Sequence, residues 1–377
     1  MKKDILIFNQ NMVMGGVEKV MLNILENLNR EKFNIKVVLV EKYGELIEKL
    51  PKDLEIIYLL DKNYSRNRSG IFKIIGYLKE LVIINKKLKK IIKKNHILLN
   101  MNIRNMRINL SFLKYKNKKI GWIHTTIIVD KVYNPFIKKL KELIFSQYTI
   151  IFNVAKQGKK DFEFIFPKLK EKSKLLYNSF DINSIVKKSL VPLELFNNKN
   201  LKYILSVGRL NNEHKGFNIL IEAMKKLKDE KINLNLIIIG DGIDKENLKN
   251  QIKKLNLEKE ITILGYDINP YKWMRNAEIF ILPSNYEGLP TVLIEALSCE
   301  VPIISTNCIC GPNEILEDGK YGILIPVGNS EMLKEKIKYL FFNEKLKKIY
   351  KQESLKRAYY FSNERILKQL EDNIIKL

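Results

Sequence analysis

The chain is poor in the side chains that build disulfides, metal clusters and nucleophile–base pairs. Its 377 residues include only 3 cysteines and 3 histidines. The spacing of Cys299, Cys308 and Cys310 matches no zinc or redox motif, and so low a number is typical of a reducing cytosol. We therefore expect buried or incidental thiols in a cytoplasmic protein. The sequence also shows no pattern typical of a catalytic nucleophile paired with a base.

Long apolar runs and the common nucleotide motifs are missing too. No stretch reaches the roughly 18 apolar residues of a membrane span. Lys2-Lys3-Asp4 runs straight into the predicted strand Ile5–Phe8, so we expect no signal peptide. The absence of G-x-G-x-x-G and of a P-loop argues against a dinucleotide enzyme and an NTPase. There is also no Asp-x-Asp pair of the kind that holds a metal-bound nucleotide sugar.

Acidic residues are scarce in the first half of the chain. The net charge is +25, and residues 1–200 carry 40 basic against 18 acidic side chains. The segment Leu81–Val129 has no acid at all. Compositional drift would affect both halves alike, so the asymmetry indicates an anionic partner such as a membrane leaflet, a lipid pyrophosphate or a nucleic acid. We expect the surface for this partner, such as a membrane, at Lys86, Lys87, Lys89, Lys90, Lys93 and Lys94.

Short apolar runs alternate with helical patterns along the chain, which predicts parallel sheets. Expected strands are Ile5–Phe8, Ile35–Val40, Glu55–Leu60, Ile120–Ile123, Tyr148–Phe152, Tyr203–Val207, Leu234–Ile239, Ile261–Leu264, Ile279–Leu282, Ile303–Ser305 and Ile323–Ile325; expected helices include Val17–Leu28 and Phe72–Lys94.

Two doubly wound α/β domains with a ligand cleft between them explain this alternation. The expected limits are 1–190 for a basic first domain, 191–200 for a linker and 201–360 for a second domain. Residues 361–377 are expected to form a helix that returns to the first domain.

Two glutamates frame the most informative run, Ser284–Cys299. The strand Ile279–Leu282 precedes it, and Pro290 suits the first turn of a helix. Glu287 is therefore expected on the loop and Glu295 inside the helix. The carboxyl end of a strand that leads into a helix is where phosphates and sugars bind. Taken alone, two such glutamates are more often solvated surface acids.

Further candidates follow other strands. Arg209 comes just after Tyr203–Val207 and Lys215 just before a helix, so two cations could meet a diphosphate there. Gly240 permits a tight turn or a close approach of the backbone. Gly15 and Gly16 resemble part of a phosphate-cradling loop. His124 follows a strand and could face the cleft, although a lone histidine is more often structural.

Together these pieces resemble a family 4 glycosyltransferase of the GT-B fold. The matching motifs are Gly15-Gly16-Val17-Glu18, Trp122-Ile123-His124, Tyr177–Asp181, Val207–Leu210 with Lys215-Gly216, Gly240–Gly242, Leu264–Tyr266, Glu287-x7-Glu295 and Gly311–Glu314. Many members have glycine where this chain has Pro290, and Tyr177-Asn178-Ser179 replaces the commoner Asn-Pro or Asn-Gly form.

The resemblance implies a retaining enzyme without a cofactor or metal. Its second domain, 201–360, would bind a nucleotide-diphosphate sugar as donor, and its basic first domain, 1–190, would bind the acceptor. Arg209 and Lys215 would stabilise the leaving diphosphate in place of a metal. Glu287, with the N–H groups of Gly288 and Leu289, would hold the sugar and its phosphate; Thr291 adds a hydroxyl nearby. Glu295 would bind the ribose, Tyr266 would lie near the base, Gly240 would contact the donor, and His124, Gly16 and Gly15 would approach the sugar and the acceptor.

We therefore predict transfer of a hexose or N-acetylhexosamine, from a UDP donor, to a lipid-linked saccharide in cell-surface glycan synthesis. The enzyme would work in the cytoplasm, peripherally on the inner face of the membrane. One alternative is a soluble enzyme of the same fold with a free small acceptor. Another is a basic nucleic-acid-binding protein, but Lys86–Lys94 lacks the interleaved aromatic residues that such a protein would show.

Overall fold

The computed structural model describes residues 2–61, 69–124, 134–193 and 202–377. The chain divides into two compact units. Unit 1 comprises Met1–Phe180 together with Asn363–Leu377, and unit 2 comprises Asp181–Ser362. No helix in the described ranges is long and apolar enough to cross a membrane.

Unit 1 alternates strands and helices from its first residues onward. Its elements are β1 (Lys3–Asn9), α1 (Gly16–Asn27), β2 (Phe33–Glu41), β3 (Glu55–Leu60), α2 (Gly70–Ile91), β4 (Ile97–Asn100), α3 (Met106–Phe112), β5 (Lys119–Ile123), α4 (Pro135–Ser146), β6 (Ile150–Asn153), α5 (Lys156–Ile165) and β7 (Ser173–Leu175).

The seven strands form one parallel sheet in the order β3-β2-β1-β4-β5-β6-β7. β1 pairs with β2 through Ile5↔Ile35 and with β4 through Ile5↔Ile97. The connections from β3 to β4 and onward to β7 all advance in one direction, so right-handed crossovers put α2 to α5 on one face. Buried residues of α2, α3, α4 and α5 do share one apolar core with the sheet.

Unit 2 has a second alternation of the same kind. Its elements are α6 (Ile182–Ser189), β8 (Tyr203–Val207), α7 (Asn212–Lys215), α8 (Phe217–Asp229), β9 (Asn235–Ile239), α9 (Lys245–Lys254), β10 (Ile261–Gly265), α10 (Tyr271–Asn276), β11 (Ile279–Leu282), α11 (Thr291–Ser298), β12 (Ile303–Thr306), α12 (Pro312–Ile315), β13 (Ile323–Ile325), α13 (Ser330–Phe342) and α14 (Glu344–Ala358).

Its six parallel strands follow the order β10-β9-β8-β11-β12-β13. The strands are continuous apolar runs because helices cover both faces of such a sheet. α8, α9 and α13 pack with the strands into one buried core that includes Phe217, Leu248 and Ile337. In both units the strand order reverses beside the first strand, and ligands bind at such a reversal, outside the carboxyl ends of the strands.

The last helix, α15 (Asn363–Ile375), belongs to unit 1. Lys32 Nζ lies 2.7 Å from the Glu371 carboxylate, and the Asn29 N–H donates to the same group at 3.2 Å. Lys3 Nζ also donates to the Ile375 carbonyl at 2.7 Å.

The division between the units falls earlier than the predicted linker 191–200. α6 lies in unit 2 because it packs against α10 and α11. Residues 194–200 of that linker lie outside the described residues.

The predicted doubly wound fold is confirmed, and every predicted strand is present. β4 and β7 were not predicted: β7 contains a single apolar residue, and β4 follows closely on the lysine-rich end of a predicted helix. Pro290 directly precedes α11 instead of occupying its first turn.

Candidate functional site

The candidate site of unit 2 lies where its strand order reverses, between β8 and β11. Their pairing sets Ile204 beside Ile279 and Leu205 beside Phe280. The loop after β8 carries Arg209, and the loop after β11 carries Glu287. Because both strands are parallel, the two loops leave the same edge of the sheet.

A cation and a carboxylate meet at this edge. Lys215 Nζ donates to Glu287 Oε1 at 2.7 Å, and the hydroxyl of Ser284 donates to the same oxygen at 2.7 Å. The Lys215 and Glu287 side chains are 22% and 10% exposed, so the pair is mostly shielded from water. Both hydrogen bonds converge on Oε1, which leaves Oε2 as the oxygen that can accept from a ligand.

The loop before α8 is fitted closely to the loop after β11. Gly216 has φ +61°, and a Cβ there would lie 2.3 Å from the Pro283 carbonyl oxygen. The Asn285 N–H donates to the His214 carbonyl at 2.8 Å, and the Asn285 amide donates to the Glu213 carbonyl at 3.0 Å. Glycine at 216 and these bonds therefore hold Lys215 over the Glu287 loop.

The loop that carries Glu287 is also held by contacts with β12 and with the loop that follows it. Ser284 is fully buried, and the Thr306 hydroxyl donates to its carbonyl. Gly311, at φ +91°, lies so close to the loop that a Cβ would come within 2.3 Å of Pro290 Cδ. Neighbouring strands and loops thus fix the position of the carboxylate before any ligand arrives.

Backbone donors open onto the same region at the start of α11. The helix has no side-chain cap, because proline precedes it. Within the described ranges, the N–H groups of Gly288 and Leu289 donate to no protein acceptor. Thr291, the first residue of the helix, is partly exposed. Unfilled donors at a helix N-terminus favour anions such as phosphate.

Arg209, six residues before Lys215 in the sequence, is a second cation on the loop that follows β8. Its side chain is exposed and forms no ion pair with any described residue. Its loop is tied to the next one, since the Leu210 N–H donates to the Asp241 carbonyl at 2.9 Å. Gly240 packs so tightly that a Cβ would lie 1.8 Å from the Gly208 oxygen, so glycine is required there for packing alone.

Glu295 lies partly buried on α11, as predicted for a residue inside the helix. Its charge is the main cause that raises the pKa of Tyr271, and burial adds to the effect. Tyr271 opens α10 and is a neighbour that no sequence motif singled out. Tyr266 is 59% exposed just after β10, where a ligand could cover its ring.

The thiols near this site are buried and unreactive. Burial raises the pKa of Cys308 to about 12, and the nearby Glu287 charge adds to the effect. Burial also raises the pKa of Cys299, with Glu295 as the next cause. No group of three or more His, Cys, Asp or Glu side chains suited to a metal ion occurs among the described residues.

In unit 1, Gly15 and Gly16 precede and open α1, after β1. A Cβ on Gly15 would lie 2.3 Å from Glu18 Oε2, whereas the space in front of Gly16 is open. The Glu18 carboxylate therefore covers Gly15. This arrangement disfavours a phosphate at Gly15, because the two negative charges would repel each other.

His124 directly follows β5, and its ring makes one hydrogen bond to the described part of the chain. Its Nε2 lies 2.8 Å from the Met101 carbonyl oxygen. Since a carbonyl can only accept, Nε2 carries the proton and Nδ1 is left as the acceptor of the neutral ring. Burial lowers the pKa of His124 to about 4, so the ring is uncharged at neutral pH.

The lysine segment is only partly available to a partner. Lys86, Lys89, Lys90, Lys93 and Lys94 are exposed. Lys87 is half-buried and lies 3.3 Å from Asp61.

Two more basic residues of the acid-free segment serve the fold itself. Lys119 is buried, and burial lowers its pKa. Arg107 lies 2.9 Å from Glu41 and 3.2 Å from Glu80, so acids from outside the segment neutralise it.

Solved structures with the same architecture show which fold this is. HepE of Anabaena, in complex with UDP, matches with a TM-score of 0.78 at 18% identity over 100% of both chains. A glycosyltransferase from Rickettsia africae matches with a TM-score of 0.79 at 21% identity, over 98% of this chain and 97% of that one. The fold is GT-B, as predicted.

Sequence comparison gives the family. Residues 192–357 match the model of the group 1 glycosyl transferases. The N-acetylgalactosamine-N,N'-diacetylbacillosaminyl-diphospho-undecaprenol 4-alpha-N-acetylgalactosaminyltransferase of Campylobacter jejuni is 30% identical over 349 residues, 88% of each chain. An uncharacterised glycosyltransferase of Methanocaldococcus jannaschii is 35% identical over 55% of each chain. The chain belongs to the group 1 glycosyltransferases, and the prediction of a glycosyltransferase is confirmed.

Proposed function

We propose that this glycosyltransferase is a retaining, family 4 enzyme that transfers a hexose or N-acetylhexosamine from a UDP sugar to a lipid-linked saccharide. The observation that carries the donor site is the Lys215–Glu287 pair at the strand reversal, with Arg209 on the adjacent loop. Two cations and a helix N-terminus suit the spread charge of a diphosphate. HepE, a neighbour in fold, binds UDP and UDP-glucose in its solved complexes.

Arg209 and Lys215 would stabilise the leaving group. The bond between the anomeric carbon and the diphosphate oxygen breaks, and the nucleoside diphosphate leaves with the electron pair. The acceptor hydroxyl forms its new bond to the same face of the sugar and passes its proton to the departing phosphate. Fixed cations aimed at the developing negative charge lower the barrier, and in this proposal no metal takes part.

Glu287 would orient the sugar instead of transferring a proton. Its Oε1 is engaged by Lys215 and Ser284, so Oε2 is the atom for sugar hydroxyls. The N–H groups of Gly288 and Leu289 would bind the sugar phosphate. Glu295 would accept from the ribose hydroxyls.

Tyr266 would stack near the base, and Gly240 and Thr291 would line the donor site. In unit 1, His124, Gly16 and Gly15 would approach the transferred sugar and the acceptor. His124, neutral with Nδ1 as its acceptor, suits a hydroxyl donor.

The acceptor proposal rests on a relative and on charge. The Campylobacter relative is named for a diphospho-undecaprenol substrate. An amylovoran biosynthesis glycosyltransferase of Erwinia amylovora is 32% identical over 45% of this chain. The exposed lysines of residues 86–94 would attract the pyrophosphate of the acceptor or an anionic leaflet. We therefore propose that the enzyme works at the inner face of the cell membrane. Its role would be in surface glycan synthesis, and it would have no nucleic-acid partner.

The experiment follows labelled sugar from a panel of nucleotide sugars into a polyprenyl-diphosphate saccharide, with a free saccharide as the parallel acceptor. We expect labelled lipid from a UDP sugar, with the anomeric configuration of the donor retained. Glu287→Gln should nearly abolish the label, while Glu331→Gln, in a surface ion pair with Lys226, serves as the matched control. Label in the free saccharide alone would disprove the lipid acceptor, and an inverted product would disprove retention.

A further inference from the structure

α2 has an apolar stripe that faces solvent. Ile71, Ile75, Leu78 and Val82 follow one another at spacings of i, i+4, i+7 and i+11, so they lie on one side of the helix. They are 67%, 52%, 55% and 68% exposed. The buried side of the helix, formed by Gly76, Glu80, Ile84 and Leu88, faces the opposite way.

The same side of α2 becomes cationic in its second half. Lys86 and Lys89 continue the row that Val82 ends, and both are exposed. The only acid of the helix, Glu80, is buried and lies 3.2 Å from Arg107. The exposed surface of α2 is therefore apolar at one end, basic at the other and free of acid.

α4 repeats the pattern over its first three turns. Phe136, Leu140 and Leu143 are spaced i, i+4 and i+7 and are 76%, 40% and 62% exposed. Lys139 lies among them and is exposed. The core contacts of α4 come from Ile144 and Phe145 at its far end.

Both stripes lie on the same face of unit 1 and toward the same edge. α2 and α4 share the core on one face of the sheet, and each runs antiparallel to the strands, so both helices begin near the carboxyl edge. At 22 residues α2 is about 33 Å long, whereas the strands beside it span roughly 13–23 Å. Residues 70–75 are all exposed, so the extra length lies at the start of α2, and the stripes lie toward the edge that carries Gly16 and His124.

We propose that these two stripes form a lipid-insertion surface: the apolar halves of α2 and α4 enter an anionic leaflet while Lys86, Lys89 and Lys139 contact its headgroups. The inference deepens the proposed function, on which it rests for the lipid-linked acceptor. It adds apolar insertion to charge attraction, and it places the leaflet at the edge of unit 1 where the acceptor is proposed to bind.

Charge identifies a leaflet as the occupant in preference to a second copy of the chain. Exposed apolar side chains beside exposed lysines on one helix are typical of interfacial membrane binding. Two copies that met through these stripes would bring Lys86, Lys89 and Lys139 of each copy together, and the stripes themselves contain no acid, which disfavours self-association. An anionic leaflet supplies the opposite charge and an apolar layer at once.

The test is co-sedimentation with vesicles of phosphatidylcholine mixed with phosphatidylglycerol, and with phosphatidylcholine alone. We expect the wild type to bind the mixed vesicles more tightly and to keep part of its binding at high salt. Ile71→Gln with Ile75→Gln and Leu78→Gln should weaken binding roughly tenfold or more, because inserted apolar area is lost. Phe136→Gln with Leu143→Gln should act in the same direction.

The matched control is Phe164→Gln. Phe164 is 83% exposed in unit 1 but lies near the end of α5, away from the carboxyl edge, so its substitution should leave binding unchanged. Stabilisation of each variant by UDP reports on folding and on the donor site, so it separates a failure of this surface from a failure of the proposed function.

Two results would overturn the inference. One is vesicle binding by the stripe variants equal to that of the wild type. The other is that light scattering shows the wild type as a dimer and the stripe variants as monomers, while vesicle binding is the same for both. The surface would then bind a second copy of the chain.

Discussion

Replacing Lys215 by alanine should separate catalysis from stability in this enzyme. The substitution removes the ammonium group that we place on the leaving diphosphate. It also removes the ion-pair partner of Glu287, whose carboxylate is 2.7 Å away. The two losses have different sizes and can be measured independently.

The catalytic loss follows from the charge that develops on the leaving group. Removing one preorganised donor of this kind raises the barrier by about 2.7–4 kcal/mol, which is roughly 100- to 1,000-fold in kcat. The stability loss should be smaller. Breaking a surface ion pair lowers the free energy of unfolding by about 0–1 kcal/mol, and breaking a buried pair lowers it by about 3–5 kcal/mol. The Lys215 and Glu287 side chains are 22% and 10% exposed, which is between these cases, so we expect a loss of about 1–3 kcal/mol.

The assays are steady-state transfer at a temperature where the variant is folded, and urea unfolding. Lys215→Ala combined with Glu287→Gln should recover most of the stability, because the orphaned carboxylate is gone, yet transfer should stay lost. Lys226→Ala breaks a surface pair of 2.9 Å with Glu331 in the same unit and is the matched control. A Lys215→Ala variant with the kcat of the wild type would refute the assignment.

Three other outcomes follow from the structure. Arg209→Ala should lower kcat as strongly as Lys215→Ala while the melting temperature stays unchanged, because the Arg209 side chain is exposed; a large fall in melting temperature would contradict this. Gly216→Ala should destabilise unit 2 by more than about 1 kcal/mol in urea unfolding, because φ is +61° and a Cβ would lie 2.3 Å from the Pro283 oxygen. Gly158→Ala is the control: this helical position has open space around it, so the substitution should be neutral or stabilising. His124 has a pKa of about 4 in the folded protein against 6.5 for the free side chain, so the unfolded chain binds more protons between these pH values. The free energy of unfolding should therefore fall as the pH drops from 6.5 toward 4. The same dependence of stability on pH in His124→Gln would argue against the burial of the imidazole.

The sequence predicts the fold well because a parallel sheet covered on both faces needs continuous apolar strands. Ile279–Leu282 and Tyr203–Val207 are such runs, and the structure has both with the predicted limits. Glycines and a proline after these strands mark the loops that carry the site. The motifs placed Lys215 and Glu287 at the same edge of the sheet but did not predict that they pair; the structure brings them within 2.7 Å because parallel strands direct their loops to one edge.

Other features depend on packing that no local pattern shows. The division between the units falls after Phe180 because α6 packs on α10 and α11, and composition alone suggested the later segment 191–200. The apolar positions of α2 predict a helix but do not tell which side packs, and Ile75 and Leu78 turn out to face solvent. Glu18 covers Gly15 only through its rotamer, which the glycine motif does not reveal.

The central claim is that unit 2 binds a nucleoside diphosphate through Arg209 and Lys215 without a metal. Its most direct test is calorimetric titration of UDP in the presence of a chelator, with wild type and the Arg209→Ala/Lys215→Ala variant. The account predicts that the wild type binds and that the variant binds about 100-fold more weakly or not at all, since two charge-assisted contacts to the diphosphate are lost. Equal affinity of the two proteins for UDP, or binding by the wild type only after a divalent metal is added, would contradict it.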